Sequence, residues 1–291
     1  MKGIEIYKNI SLQKIDIEDV SIGLRQVGTG NDLVFIHGFP THGYTWRKLL
    51  PELSKTHKCH ILDLPGLGES SWAANTDFKS EAQARYVTKL LAKLGIEKYS
   101  IIAHNSGATI ARAIAINQPK NVENLILLNT EIPNHRPPWI PFYQKIGLLP
   151  SVPFAVRILF RQSWFVKSPM GLKELYSDKS MLNNKSNIVP YLNPVINSQQ
   201  KAIGAFRYLK GIDWQLIDDF KSLHKKITAN VLFLWGEDDK TFPIGLGKEM
   251  AKQFTCHVDF VTIKKASLLP HEEKPEVVVR EILRFLGKGK N

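Results

Sequence analysis

The 291 residues are 43% hydrophobic and 23% charged, the balance of a globular fold that can bury its core without disulfide or metal staples. The formal charge of +12 is scattered as single lysines and pairs such as Lys225-Lys226, so a solvated basic surface is expected and a nucleic-acid partner is not. No stretch approaches the roughly eighteen apolar residues of a membrane span, "MKGIEIYKNI" lacks the apolar centre of a signal peptide, and no Cys/His cluster has metal-ligand spacing.

In chain order, "LQKIDIE" and "SIGLRQVG" read as an antiparallel lead-in. Four apolar runs follow, "LVFIHG" (33–38), "CHILDLPG" (59–66), "YSIIAH" (99–104) and "NLILLN" (124–129), with the pattern of strands buried on both faces. Helical spacing separates them over Tyr44 to Leu53, Ser80 to Leu94 and Ser106 to Asn117, with Gly95 and Pro119 as stops. Such βαβ alternation predicts an α/β fold with a mostly parallel, doubly wound sheet. The stretch 132–227 is rich in proline and aromatics, with helical pieces around Phe154 to Phe165, Gly171 to Leu175 and Ser198 to Leu209. Strand signals return at "NVLFLWG" (230–236) and "HVDFVTI" (257–263), and a last helix runs from Pro275 to Leu286. The expected organisation is a core of residues 1–131 and 228–291 with a helical cap, 132–227, inserted before the last two strands. The cap would lie over the carboxyl ends of the strands, where open α/β sheets bind ligands. Cys59 and Cys256, far apart in sequence, are expected to be buried free thiols of a cytoplasmic protein.

Four motifs fall at strand ends. "HGFPTHGYTW" (37–46) is a tight turn that would aim the Phe39 N–H into a site as an oxyanion donor. "DLPGLGES" (63–70) is a glycine-rich loop that Asp63 can tie down; its spacing matches neither a phosphate loop nor a dinucleotide fingerprint, so no cofactor is expected. "AHNSGA" (103–108) joins a strand to a helix with the small-x-nucleophile-x-small pattern of a nucleophile elbow. Ala103 and Gly107 are the two small residues, which puts Asn105 at the apex; making Ser106 the apex would put His104 where a small residue is needed. Late in the chain, "WGEDDKTFP" (235–243) places Asp239 at a strand end, where a carboxylate could orient a histidine, and "KASLLPHEEKPEVV" (265–278) is where that histidine should follow.

Together these motifs resemble the epoxide hydrolase and haloalkane dehalogenase branch of the α/β-hydrolase fold. In that branch an elbow aspartate attacks carbon, and a histidine-activated water then hydrolyses the resulting ester. The resemblance implies that Asn105 stands at the nucleophile position and Ser106, a second oxyanion donor, at the residue after it. It puts Asp239 at one position of the acid and Glu131 near the other. Anchored on Glu272, Glu273 and Pro275, it aligns Leu268 with the catalytic histidine and His271 with a neighbour that a gap would move into the role. His37, Trp139, Tyr143 and Trp164 would contact a small apolar ligand beneath the cap. An amide supplies no carboxylate nucleophile and leucine takes no proton, so weak or absent hydrolysis with retained ligand binding is expected. Alternatives are an active hydrolase using Ser106 or water with His271 and Asp239 or Glu131, an Asp-to-Asn trap of a working enzyme, and a plain interaction module.

Overall fold

The computed structural model describes residues 2–147 and 149–287. Its strands are β1 (Gln13–Ile17), β2 (Val20–Val27), β3 (Asn31–Ile36), β4 (His57–Asp63), β5 (Ser71–Trp72), β6 (Tyr99–His104), β7 (Val122–Leu128), β8 (Asn230–Gly236) and β9 (Val258–Ile263). They form one sheet in the order β1-β2-β4-β3-β6-β7-β8-β9, with β5 paired to β2. β2 runs antiparallel to β1, β4 and β5, and every pairing from β4 to β9 is parallel. This is the mostly parallel α/β sheet that the alternating pattern predicts.

Strand side chains alternate between faces, and each apolar run divides accordingly. Val34, Ile36, Ile101, Ala103, Leu125 and Leu127 enter a core with the helices Ser80–Lys93 and Ser106–Asn117. Leu33, Phe35, Ile102, Ile126 and Leu128 face the other way, against Trp46 and the helix Pro275–Gly287. Both faces are therefore apolar, as a sheet covered by helices on each side requires.

Between β7 and β8 the described chain is helical or irregular. It carries helices at Trp139–Ile146, Val152–Leu159, Ser163–Val166, Lys185–Asn197, Gln199–Lys210 and Trp214–Leu223. Residues from this stretch touch the core: Gly204 lies against the Trp72 ring of β5, and the Leu269 N–H donates to the Leu175 carbonyl. Several expectations needed correction. The expected helix from Tyr44 is a 3-10 segment, Gly43–Lys48, followed by the short helix Leu50–Leu53, and the helix Lys2–Asn9 is not among the expected elements at all. Cys59 is buried but Cys256 is only partly so, and both thiols are free.

Candidate active site

β6 enters the helix Ser106–Asn117 through a single residue, Asn105, held at φ 52° and ψ −133°. Left-handed φ is costly for a side chain with a Cβ, and residues in such regions persist only where surroundings over-determine them. Here the Asn105 N–H donates to the carbonyls of Leu128 (3.1 Å) and Asn129 (2.9 Å). Two glycines let the neighbouring turns close on it. A Cβ on Gly107 would stand 2.3 Å from the His37 carbonyl oxygen, and one on Gly38 would stand 2.5 Å from the Asn105 Cβ. The sharp turn and its apex thus follow from small residues at sites where backbone meets backbone.

Around the apex the donors are already engaged. The Ser106 N–H donates to Asn105 Oδ1. The Phe39 N–H donates to Ser106 Oγ at 3.1 Å, and Ser106 Oγ shares a further hydrogen bond with the Tyr208 hydroxyl at 3.0 Å. Tyr208 in turn stacks on Phe39, with ring centroids 6.4 Å apart. The two N–H groups expected to stabilise an oxyanion are therefore spent inside the turn.

None of the remaining candidates is hydrogen-bonded to the Asn105 side chain among the described residues. Asp239 is buried, with Oδ2 accepting from Asn129 Nδ2 (2.6 Å) and Oδ1 from the N–H groups of Thr241 (2.7 Å) and Phe242 (3.2 Å). It stitches the β7 and β8 ends together and is hydrogen-bonded to no imidazole among the described residues; burial raises its carboxyl to about 7 against these donors. Glu131 is also buried and raised by desolvation, its Oε2 accepting from Thr109 (2.9 Å) and Thr130 (3.1 Å). His271 is fully buried, its Nε2 bonded to Thr45 Oγ1 at 2.6 Å and its ring beside those of Trp46 and His104, and its Nδ1 has no hydrogen-bond partner among the described residues. Burial holds its pKa well below the usual imidazole range. Leu268 is buried, and its carbonyl accepts from His104 Nε2 at 2.8 Å, which pins the late loop to the elbow strand.

His37 is not free for a ligand. Its Nε2 accepts from the Leu64 N–H at 2.9 Å, leaving Nδ1 as the donor to the Gly38 carbonyl at 3.2 Å. Burial lowers its pKa to about 4, so the ring is a neutral tie between two turns. Asp63 acts likewise, accepting from the N–H groups of Gly43 (2.7 Å) and Glu69 (2.9 Å).

The profile described as the alpha/beta hydrolase fold matches residues 32–275, more than half of the chain. The chain belongs to the α/β hydrolase fold family. It is 26% identical over 262 residues to the uncharacterised hydrolase YugF of Bacillus subtilis (strain 168), covering 87% of this chain and 89% of that one. It is 25% identical over 288 residues to epoxide hydrolase 4 of Homo sapiens, covering 94% of this chain and 78% of the relative. A putative ancestral haloalkane dehalogenase superposes with a TM-score of 0.79 at 17% identity, covering 95% of this chain and 99% of that one, which shows a shared fold.

In this α/β hydrolase the aromatic residues expected beneath a cap are arranged differently. Trp164 is 67% exposed and Trp139 39%, while Tyr143 is half-buried and donates its hydroxyl to the Met170 carbonyl at 2.7 Å. A cavity of about 10 Å³, bounded by residues that include Thr41, Leu67, Tyr191 and Val195, is too small for an organic ligand and does not touch Asn105. Sequence reasoning missed Tyr208, because nothing in the spacing of its helix marks one tyrosine as reaching Ser106. It also missed the pairing of Arg47 with Glu272, both fully buried and joined in a fork at 2.7 and 3.1 Å. Tyr176 and Tyr191 also donate to that carboxylate, and Asn187 accepts from Arg47 at 3.0 Å. A signal was present: "TWRK" and "HEEKPE" each put a charge inside an apolar context, and buried charges require partners.

Proposed function

We propose that this α/β hydrolase has lost the hydrolytic step of its epoxide hydrolase-like relatives and uses the strand-end site to bind a small apolar molecule beneath a cap of residues 132–227. The observation that carries this reading is the closed set of bonds at the elbow. Asn105 supplies an amide, and the N–H groups of Phe39 and Ser106 are already bonded within the turn. No imidazole is hydrogen-bonded to Asn105 or Ser106 among the described residues. Losing one member of a catalytic unit removes about four to six powers of ten in rate, and further losses add little. What the strand ends retain is apolar: Tyr208 and Leu268 belong to one buried cluster, and Phe39 packs against it. In this reading the ligand enters as the helix Gln199–Lys210 moves outward and lifts Tyr208 from Ser106. The free thiols of Cys59 and Cys256 support a cytoplasmic, reducing setting.

The test uses purified protein at high concentration with an aryl epoxide, a haloalkane and an aryl ester. Expected are saturable binding by calorimetry and no turnover. Turnover abolished by Asn105→Ala would overturn the loss of hydrolysis, and no binding of any probe would overturn the ligand. Asn105→Asp is expected to gain the mass of one epoxide and stop there, because no base stands ready to hydrolyse the ester. Multiple turnover by that single variant would instead mark the amide as the one defect in a working enzyme.

A further inference from the structure

Residues 132–173 contain no Asp or Glu and six Lys or Arg. The same stretch supplies seven of the eleven large hydrophobic side chains that the described residues expose. Trp164 (67%), Leu149 (56%), Phe154 (56%) and Met170 (55%) stand out furthest. The helices Trp139–Ile146 and Val152–Leu159 both pack on the helix Gln199–Lys210, the second also on Lys185–Asn197, and each keeps an exposed apolar edge, Trp139 and Phe142 on the first and Phe154 and Ile158 on the second. Spacing puts the exposed apolar residues on single stripes: Trp139 and Phe142 are three apart on the first helix, and Phe154 and Ile158 four apart on the second. Tyr143, which donates to the Met170 carbonyl and lies beside Phe142, ties the first helix to the segment after Trp164.

Of the basic groups of this stretch, only Arg136 has a carboxylate partner among the described residues. Arg136 is committed to Asp218. Arg157 and Arg161 donate to the Ile196 carbonyl, Lys167 donates to Asn183 Oδ1, and no ion pair joins Lys145 to an acid among the described residues. An uncovered apolar face with tryptophan, phenylalanine and leucine, rimmed by unpaired cations, has the chemistry of a helix pair lying in the plane of an anionic membrane surface. A second copy of this chain fits poorly, since a two-fold contact would bring the same unpaired cations face to face. The helices are too short to span a bilayer: each has eight residues, about 12 Å of rise.

We infer that the outer face of residues 139–170 docks on anionic lipid bilayers, with Phe142, Phe154 and Trp164 entering the interface and Lys145, Arg161 and Lys167 meeting lipid phosphates. The inference stands apart from the function proposed above, because it uses no residue of the elbow.

The full-length protein is mixed with large vesicles of phosphatidylcholine containing 30% phosphatidylglycerol, or of phosphatidylcholine alone, and binding is read by co-sedimentation. Expected is binding to the anionic vesicles that weakens with salt, with a blue shift of tryptophan emission. The charge variant Lys145→Gln/Arg161→Gln/Lys167→Gln and the apolar variant Phe154→Ser/Trp164→Ser should each weaken binding about tenfold or more. Circular dichroism and urea unfolding check that both variants fold; because they perturb different contacts, either alone carries the test. No binding to anionic vesicles, or binding that neither folded variant weakens, would overturn the inference. So would a concentration-dependent dimer that Phe154→Ser/Trp164→Ser dissolves while vesicles stay unbound.

Discussion

Ser106 holds three things at once: its N–H meets Asn105 Oδ1, and its hydroxyl joins the Phe39 N–H to the Tyr208 phenol. Ser106→Ala would leave a buried phenol and a backbone N–H without that shared partner. The expected loss is about 1–3 kcal/mol in urea unfolding. Epoxide turnover should not appear, because the freed N–H still faces an amide. A stability unchanged within error would mean that these bonds are not maintained in solution. The apex itself was readable in the sequence, because steric demands on Ala103 and Gly107 are local. What Asn105 bonds to was not, since Phe39 and Tyr208 are brought there by separate elements.

Among elements, the fork of Arg47 and Glu272 fastens the segment between β7 and β8 to the core, with Tyr176, Asn187 and Tyr191 all reaching it. Removing one partner of a buried ion pair leaves the other charge unpaired, at a cost of about 3–5 kcal/mol. Glu272→Ala should therefore cost about that much, and limited proteolysis should then cut first between residues 132 and 227. Tyr191→Phe removes one of several donors and should cost about 1–2 kcal/mol. Equal effects of the two changes would show that the guanidinium finds another partner. Every strand except the two-residue β5, and the helix Ser106–Asn117, was legible because its periodicity is unbroken. The helix Lys185–Asn197 was not, because Pro190 and Pro194 stand inside it, where propensity argues against a helix and packing of Ile188 and Tyr191 overrides it. The exposed positions of Trp139 and Trp164 were illegible too, as an aromatic-rich run reads alike whether it lines a pocket or faces outward.

Across the whole molecule, titration should set how stability responds to acid. Burial keeps His37 at about 4 and His104 and His224 at about 3, and lowers His60 and His271 as well. The unfolded chain takes up these protons near pH 6.5 and the folded chain refuses them, so stability is full above that value and falls as the pH drops toward 4. Asp239, raised to about 7, and Glu131 and Glu273, also raised by burial, act in the opposite sense, because the folded chain keeps protons that the unfolded one releases. The lowered histidines outnumber these raised acids five to three, and each net proton changes stability by up to about 1.4 kcal/mol per pH unit. Urea midpoints should therefore fall from pH 7 to pH 5; a rise would mean that the acids dominate or that the histidines are wet.

The helix Gln199–Lys210 underlies the two uncovered helices and carries Tyr208 to Ser106. The outermost layer and the innermost turn thus share one beam. A load on the outside has one continuous helix through which to reach the elbow, so the protein can feel at its centre what leans on its skin.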